Sequence, residues 1–406
     1  MFFLKAVFCR IFQAGFRAAL PVLPYTEPEI VPSCAKLDAV LKKEKIKGAL
    51  VVTDKGIVAS GLVRHVERAL ENGGVPYVTY DETLPNPTVR NVEDALALYK
   101  AHGCNAIIAI GGGSSIDCSK AVGARVAYPK RTVNQLGGIL KVWRKLPALI
   151  AIPTTAGTGS ETTLAALITD TEKHFKYALM SFPLIPRYAV LDAEVTYSLP
   201  PHLTATTGVD ALVHAVEAYI GRSTTKETRR LALEATKLVF ENVEAAYRDG
   251  KNHEARENML HAAHKAGIAF SKSYVGYIHA MAHSLGGKYG TPHGLANAVL
   301  MPYVLEAYGK KAHKKLHMLG IAAGVCSAND SYAVGAAKFI AATRELNAKM
   351  GIPTKLSGIK KEDIPAMAKF AEREANPLYP VPKLMTRREL EQFYCCVADW
   401  SKQHDE

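Results

Sequence analysis

The sequence predicts an α/β domain over residues 1–198 followed by an all-α domain over residues 199–406. From about Lys36 to Asp192, short β-branched runs alternate with helical stretches, the pattern of a parallel sheet flanked by helices. After Leu199, Pro200 and Pro201 the strand-like runs vanish and apolar residues recur at helical spacing. At 406 residues and 48% hydrophobic, the chain is too long for one small module and too apolar for a disordered protein.

Taken in order, the elements follow from local pattern. Before Pro21 the chain is apolar but interrupted by Lys5, Arg10 and Arg17, short of the roughly 20 uncharged residues a membrane span needs. An amphipathic packing helix is the first expectation there; a targeting segment or a peripheral membrane contact stays open. Strands are expected at Ala49–Thr53, Tyr77–Tyr80, Ala106–Ile110, Leu149–Ile152 and Ala189–Leu191, each short and mostly apolar, as strands covered on both faces are. Helices such as Gly61–Asn72 and Val89–His102 connect them. In the second half, helices break at Gly250, Gly290, Gly351 and Pro377. With no low-complexity linker, the two halves are expected to pack closely around a cleft.

The net charge of +12 favours anionic ligands such as a nucleotide cofactor. The basic residues are scattered, densest at Lys42–Lys47 and Lys310–Lys315, without aromatic interleaving, so no nucleic-acid partner is expected. Cysteines stand at 9, 34, 104, 118, 326, 395 and 396, an odd number without a C-x-x-C pair, which reads as a reducing, cytoplasmic compartment.

The run AIIAIGGGSSIDCSKAVG leads from a strand through Gly111, Gly112 and Gly113 into a helix. Glycines admit a ligand close to the backbone, and a helix start offers free N–H groups, so a pyrophosphate fits; a plain tight turn is the alternative. A second strand-to-loop transition, LIAIPTTAGTGSE, offers the hydroxyls of Thr154, Thr155 and Thr158, and two such loops on one sheet suggest a dinucleotide. The spacing is not G-x-G-x-x-G, and no glycine fingerprint follows the first strand. Asp54 ends that strand, where a carboxylate reads either as a turn former or as a ribose acceptor that disfavours a 2′-phosphate.

Two histidine pairs stand at helical spacing. Asp210 and His214 are four residues apart, as are His279 and His283, with His293 ten residues further on. One pair alone reads as packing or capping. Two pairs and a third histidine in an apolar setting weigh equally for packing and for a catalytic divalent cation with a position open to substrate. His261 and His264 lie in a charged stretch and read as ordinary helix residues.

These segments resemble the iron-containing, group III alcohol dehydrogenases, and the likeness spans nearly the whole chain. VVTDKGI, PNPT at Pro85–Thr88, GGGSSID, IPTTAGTGSE, VLDAEVTYSLPPHLTATTGVDALVHAVE, HAMAHSLGGKYGTPHGLANAVLMP, GIP at Gly351 and ANP at Ala375 follow the family's order. The resemblance implies a Rossmann-like domain of the dehydroquinate synthase kind, a helical domain, and a cleft holding NAD(P) beside one metal ion. It implies Asp210, His214, His279 and His293 as metal ligands, with His283 beside the nicotinamide and engaged in proton transfer. It gives Asp54 and Lys176 to the ribose, Gly112, Gly113, Ser114 and Asp117 to the pyrophosphate, and Thr154, Thr155 and Thr158 to the nicotinamide side. NAD is then expected over NADP, with iron or, less often, zinc as the metal and a homodimer as the expected assembly.

The implied reaction is hydride transfer between the nicotinamide and a small primary alcohol or aldehyde. A hydroxyacid-oxoacid transhydrogenase or a polyol dehydrogenase of the same fold is the alternative. A lyase of the dehydroquinate synthase kind would want pocket Lys and Arg, where the ligand segments carry Ala, Val, Leu and Gly. A scaffold protein would be expected to have lost a ligand. Two departures from the family stand out: the opening 25 or so residues are longer and more apolar, and Leu164, Ala165 and Ala166 suggest a roomier pocket that Tyr274 and Tyr277 would close.

Overall fold

The structure, a computed structural model, describes residues 2–172 and 175–401. The chain divides into two compact units. The α/β unit comprises Pro24–Leu199 and Gly250–Leu260; the helical unit comprises the residues up to Leu23, Pro200–Asp249 and the chain from His261 onward. The sequence reading placed the opening residues in the α/β domain. They group instead with the helical unit, because the first helix, α1 (Phe2–Ala19), buries Cys9 and Gln13 and hydrogen-bonds residues 377–382.

In the α/β unit, six parallel strands form the sheet in the order β1-β9-β6-β4-β2-β3: β1 (Glu29–Val31), β2 (Ala49–Val52), β3 (Tyr77–Tyr80), β4 (Ala106–Gly111), β6 (Ala148–Pro153) and β9 (Tyr188–Val190). Three further strands, β5 (Gly138–Ile139), β7 (Ala165–Asp170) and β8 (Phe175–Met180), make a second sheet in which β7 and β8 run antiparallel. Helices α2 (Leu37–Lys43), α3 (Lys55–Ala59), α4 (Val63–Asn72), α5 (Val89–Ala101), α6 (Gly113–Ala127) and α7 (Val133–Leu136) complete the unit.

Alternation along the strands explains the layering. Ala49, Val51, Ile108 and Ile110 face a core shared with Leu37, Val40, Val66 and Leu70 of α2 and α4. Their neighbours Leu50, Val52 and Ile107 face the opposite core with Val92 and Leu96 of α5 and Ala121 and Val122 of α6. Under the start of α6, Ala109 and Ala151 pack with Ile116, and their small side chains bring that helix close to the sheet.

After Pro200 the helical unit runs α8 (Pro201–Ile220), α9 (Lys226–Arg248), α10 (His253–Ser273), α11 (Tyr277–Tyr289), α12 (His293–Tyr308), α13 (His313–Ala322), α14 (Tyr332–Lys349), α15 (Ile364–Ala375) and α16 (Arg387–Val397). The first residues of α10 belong to the α/β unit. The breaks fall as expected: α11 stops at Gly290, which takes the left-handed conformation, and α14 ends just before Gly351, which does the same. Among the described residues, no helix is long and apolar enough to cross a membrane.

Candidate active site

The glycine turn is built by backbone geometry. Gly111 closes β4 with φ +152°, and a Cβ there would lie 2.5 Å from Ser115 Oγ, so the position admits glycine alone. Gly112 caps α6 and leaves the helix's first N–H groups facing outward from the strand end. The Thr154 N–H donates to the Gly111 carbonyl at 3.0 Å, which registers the second loop against the first. Thr155 and Thr158 follow it there. A Cβ on Gly112 would lie 3.8 Å from Thr155, and one on Gly113 would lie 3.2 Å from Thr158. Ser114 occupies the first turn of α6, half-buried.

Asp54 serves two purposes. Its Oδ1 accepts from the N–H groups of Gly56 and Ile57 and caps α3, while Oδ2 is directed toward the Gly111 turn. Lys176 is exposed and donates to Asn86 Oδ1 at 2.7 Å, which joins the PNPT segment to β8. Asp117 is engaged within the protein: Oδ1 accepts from Ser160 Oγ at 2.7 Å and Oδ2 from the Leu167 N–H at 3.0 Å. It therefore holds the threonine loop instead of presenting a free carboxylate at the turn.

Lys120, which sequence reasoning passed over, does similar work. It is fully buried, and its ammonium donates to Thr163 Oγ1 at 2.7 Å, Ala165 O at 2.8 Å and Thr163 O at 2.9 Å; burial brings its pKa down to about 8. Ala166 lies in the core and Tyr277 is fully buried, so neither is the pocket wall their sequence positions suggested.

In the helical unit, Asp210, His214, His279 and His293 meet: one donor atom of each lies within 4.8 Å of the others. Asp210 and His214 share a face of α8, His279 comes from α11, and His293 opens α12 just after Pro292. Gly294 makes that convergence possible, since a Cβ there would stand 2.4 Å from the Thr206 carbonyl of α8. Asp210, His214 and His279 are all buried.

The orientation of His279 is fixed from behind. Its Nδ1 lies 2.7 Å from Glu217 Oε2, and Glu217 also accepts from the N–H groups of Gly276 and Ile278 at 2.8 and 2.9 Å. Burial raises the Glu217 pKa to about 7 against the pull of those backbone donors. With Nδ1–H donating to Glu217, the buried Nε2 of His279 faces the cluster and has no hydrogen-bond partner among the described residues. Burial, and then the neighbouring imidazoles, hold the His279 pKa well below its ordinary value, so the ring is neutral. A neutral imidazole with an unshared lone pair, beside a carboxylate and two further imidazoles, is the donor set a divalent transition metal takes.

Asn297, one turn after His293, puts its amide nitrogen 2.7 Å from Asp210 Oδ1 and 3.1 Å from His293 Nε2. The His214 ring stacks on Phe270 with centroids 4.2 Å apart. His283 stacks on His293 at 5.1 Å, and its Nδ1 lies 2.6 Å from Glu374 Oε1, which also accepts from the Tyr379 hydroxyl at 2.7 Å. Glu217, Asn297, Glu374 and Tyr379 were not read from the sequence. Two carried a signal: Glu217 continues the Asp210/His214 face, and Asn297 repeats the four-residue interval from His293.

Two family models match the chain: iron-containing alcohol dehydrogenase over residues 31–193, and the C-terminal part of the Fe-containing alcohol dehydrogenase family over residues 204–396. Alcohol dehydrogenase 4 of Saccharomyces cerevisiae is 39% identical over 339 residues, 82% of this chain and 87% of that protein. The 1,3-propanediol dehydrogenase of Klebsiella pneumoniae is 39% identical over 338 residues, covering 81% and 86%. The NAD-dependent methanol dehydrogenase of Bacillus methanolicus is 35% identical over 333 residues, covering 82% and 87%. Among solved structures, a 1,3-propanediol oxidoreductase superposes with a TM-score of 0.88 at 35% identity, covering 91% of this chain and 98% of its own. An alcohol dehydrogenase from Oenococcus oeni gives 0.87 at 32% identity, covering 92% and 100%. Likeness of this extent in both halves, together with the cluster of histidines and aspartate, makes the chain a member of the iron-containing alcohol dehydrogenase family and an iron-type, NAD-dependent alcohol dehydrogenase.

Proposed function

We propose that the protein interconverts small primary alcohols and their aldehydes, with a divalent metal held by Asp210, His214, His279 and His293, and with His283 moving the proton. The observation that carries this reading is the buried Nε2 of His279, aimed at three other ligand-type side chains and left without a hydrogen-bond partner among the described residues. When bound, the metal would supply positive charge to stabilise a substrate oxygen, and NAD would supply the hydride acceptor or donor. Iron is the family's metal, and zinc would suit the same donors.

The chain's own residues do the rest. Glu217 fixes the His279 tautomer, and Phe270 fixes the His214 ring by stacking. With its Nδ1–H donating to Glu374, His283 keeps Nε2 as the base that takes the hydroxyl proton, and Glu374 stabilises the imidazolium that results. On the dinucleotide side, Gly112, Gly113 and Ser114 would receive the pyrophosphate at the start of α6, and Thr154, Thr155 and Thr158 would line the nicotinamide side. Asp54 and Lys176 would meet the ribose, where the Asp54 charge opposes a 2′-phosphate and favours NAD. Asp117 would act indirectly, through the loop it holds.

A homodimer is the assembly the family resemblance favours, and the seven free thiols suit a reducing cytoplasm. The test is His279→Ala. The variant should lose bound metal, by elemental analysis, and alcohol-dependent NADH formation together, while fluorescence titration finds NADH affinity within about twofold of the parent. Turnover retained in a metal-free variant would refute the ligand assignment.

A further inference from the structure

The opening helix is more than a packing element, because two polar side chains on its inner face are aimed at backbone. Gln13 is 3% exposed, and its amide nitrogen donates to the Tyr379 carbonyl at 2.8 Å and the Pro377 carbonyl at 3.2 Å. Arg10 donates to the Val381 carbonyl at 2.7 Å, the Pro382 carbonyl at 3.2 Å and Gln13 Oε1 at 2.8 Å. Two side chains of α1 thus satisfy four carbonyls of the irregular segment between α15 and α16. Buried carbonyls without such partners would be costly, so the segment's path depends on the helix.

That segment carries Tyr379. Its backbone oxygen is held by Gln13, and its hydroxyl holds Glu374, whose carboxylate holds His283. The same helix reaches the α10–α11 junction, where Phe16 packs on Tyr274 with ring centroids 4.9 Å apart and Tyr274 packs on Tyr379 at 6.1 Å.

We propose that α1 is a clamp for the proton-transfer histidine: Gln13 and Arg10 are positioning residues that act through Tyr379 and Glu374 to hold the His283 imidazole in its working orientation. The inference rests on the proton-transfer role given to His283 above. Apolar residues would suffice to bury a helix; an amide and a guanidinium that take up one loop's carbonyls specify where that loop lies.

The test uses the full-length, metal-loaded protein for kinetics and the metal-free protein for NMR. Gln13→Leu keeps the side-chain volume and removes both donated bonds. It should lower kcat about tenfold with KM for NADH unchanged. It should also broaden the downfield imidazole N–H resonance of His283, assigned by its disappearance in His283→Ala. Tyr379→Phe should reproduce the kcat loss, and the double variant should be no worse than Tyr379→Phe alone, because both act on one chain of contacts. Should Gln13→Leu not accumulate as folded protein, Arg10→Met, which releases Val381 and Pro382, carries the same expectations. An unchanged kcat and a sharp His283 resonance in a variant that is merely less heat-stable would overturn the clamp, as would multiplicative losses in the double variant. If His283→Ala itself keeps full kcat, the proton-transfer reading falls and the clamp with it; if His283→Ala is impaired and Gln13→Leu is not, the clamp alone falls.

Discussion

Glu217 shows how much of the metal centre is decided one residue behind it. Its carboxylate takes three N–H donors, two from backbone and one from the His279 ring, so the ring can neither turn over nor exchange its tautomer without breaking a buried bond. Glu217→Gln keeps the shape but sets an amide N–H against one of those donors. Metal affinity should fall about 10- to 100-fold, read by competition with a chromophoric chelator, with the overall fold retained by circular dichroism. An affinity equal to the parent's would show that the carboxylate does not orient the ring. At this scale the sequence was most legible where one helix carries two partners. Asp210 and His214 announce each other by a four-residue interval, whereas Glu374 meets His283 across 91 residues, and no periodicity reports such a meeting.

Elements bring those residues to their stations, and α6 is the clearest case. Its first turn faces the glycine loop, and one turn later Asp117 reaches sideways to Ser160 and to the Leu167 N–H, tying the helix to the threonine loop and to β7. Asp117→Ala leaves both donors without that partner. It should cost about 1–3 kcal/mol in chemical denaturation and raise KM for NAD more than it lowers kcat. Equal stability would mean that the loop holds its own shape.

The five strands expected from apolar runs are all present, within a residue or two of their limits, because a doubly covered strand is apolar on both faces and stands out from its surroundings. β1 was missed because three residues on a sheet edge, two of them exposed, leave too little pattern. β7 does alternate, with Ala166, Ile168 and Asp170 buried and their neighbours half-exposed, but its first two residues, Ala165 and Ala166, read in sequence as substrate wall. The opening helix was expected as a packing element. Its polar anchors were not, because a buried Gln or Arg is recognised only when the carbonyls it serves are in view.

For the whole molecule, a ligand that binds the folded chain and not the unfolded one stabilises it by mass action. Iron at 100 times its dissociation constant should contribute about 2.7 kcal/mol and raise the calorimetric midpoint by roughly 3 °C over chelated protein, while His279→Ala should show no shift. A parent midpoint indifferent to metal would mean that the four donors do not close on an ion in the folded state.

The course of the backbone sets a further constraint. The helical unit begins the chain, yields to the α/β unit at Pro24, resumes at Pro200, yields again over Gly250–Leu260, and then runs to the end. β1 finds its neighbour β9 some 160 residues later. No single scissor cut therefore separates the two units, and a ribosome must make the several hundred residues in between before the helix Phe2–Ala19 can settle against residues 377–382.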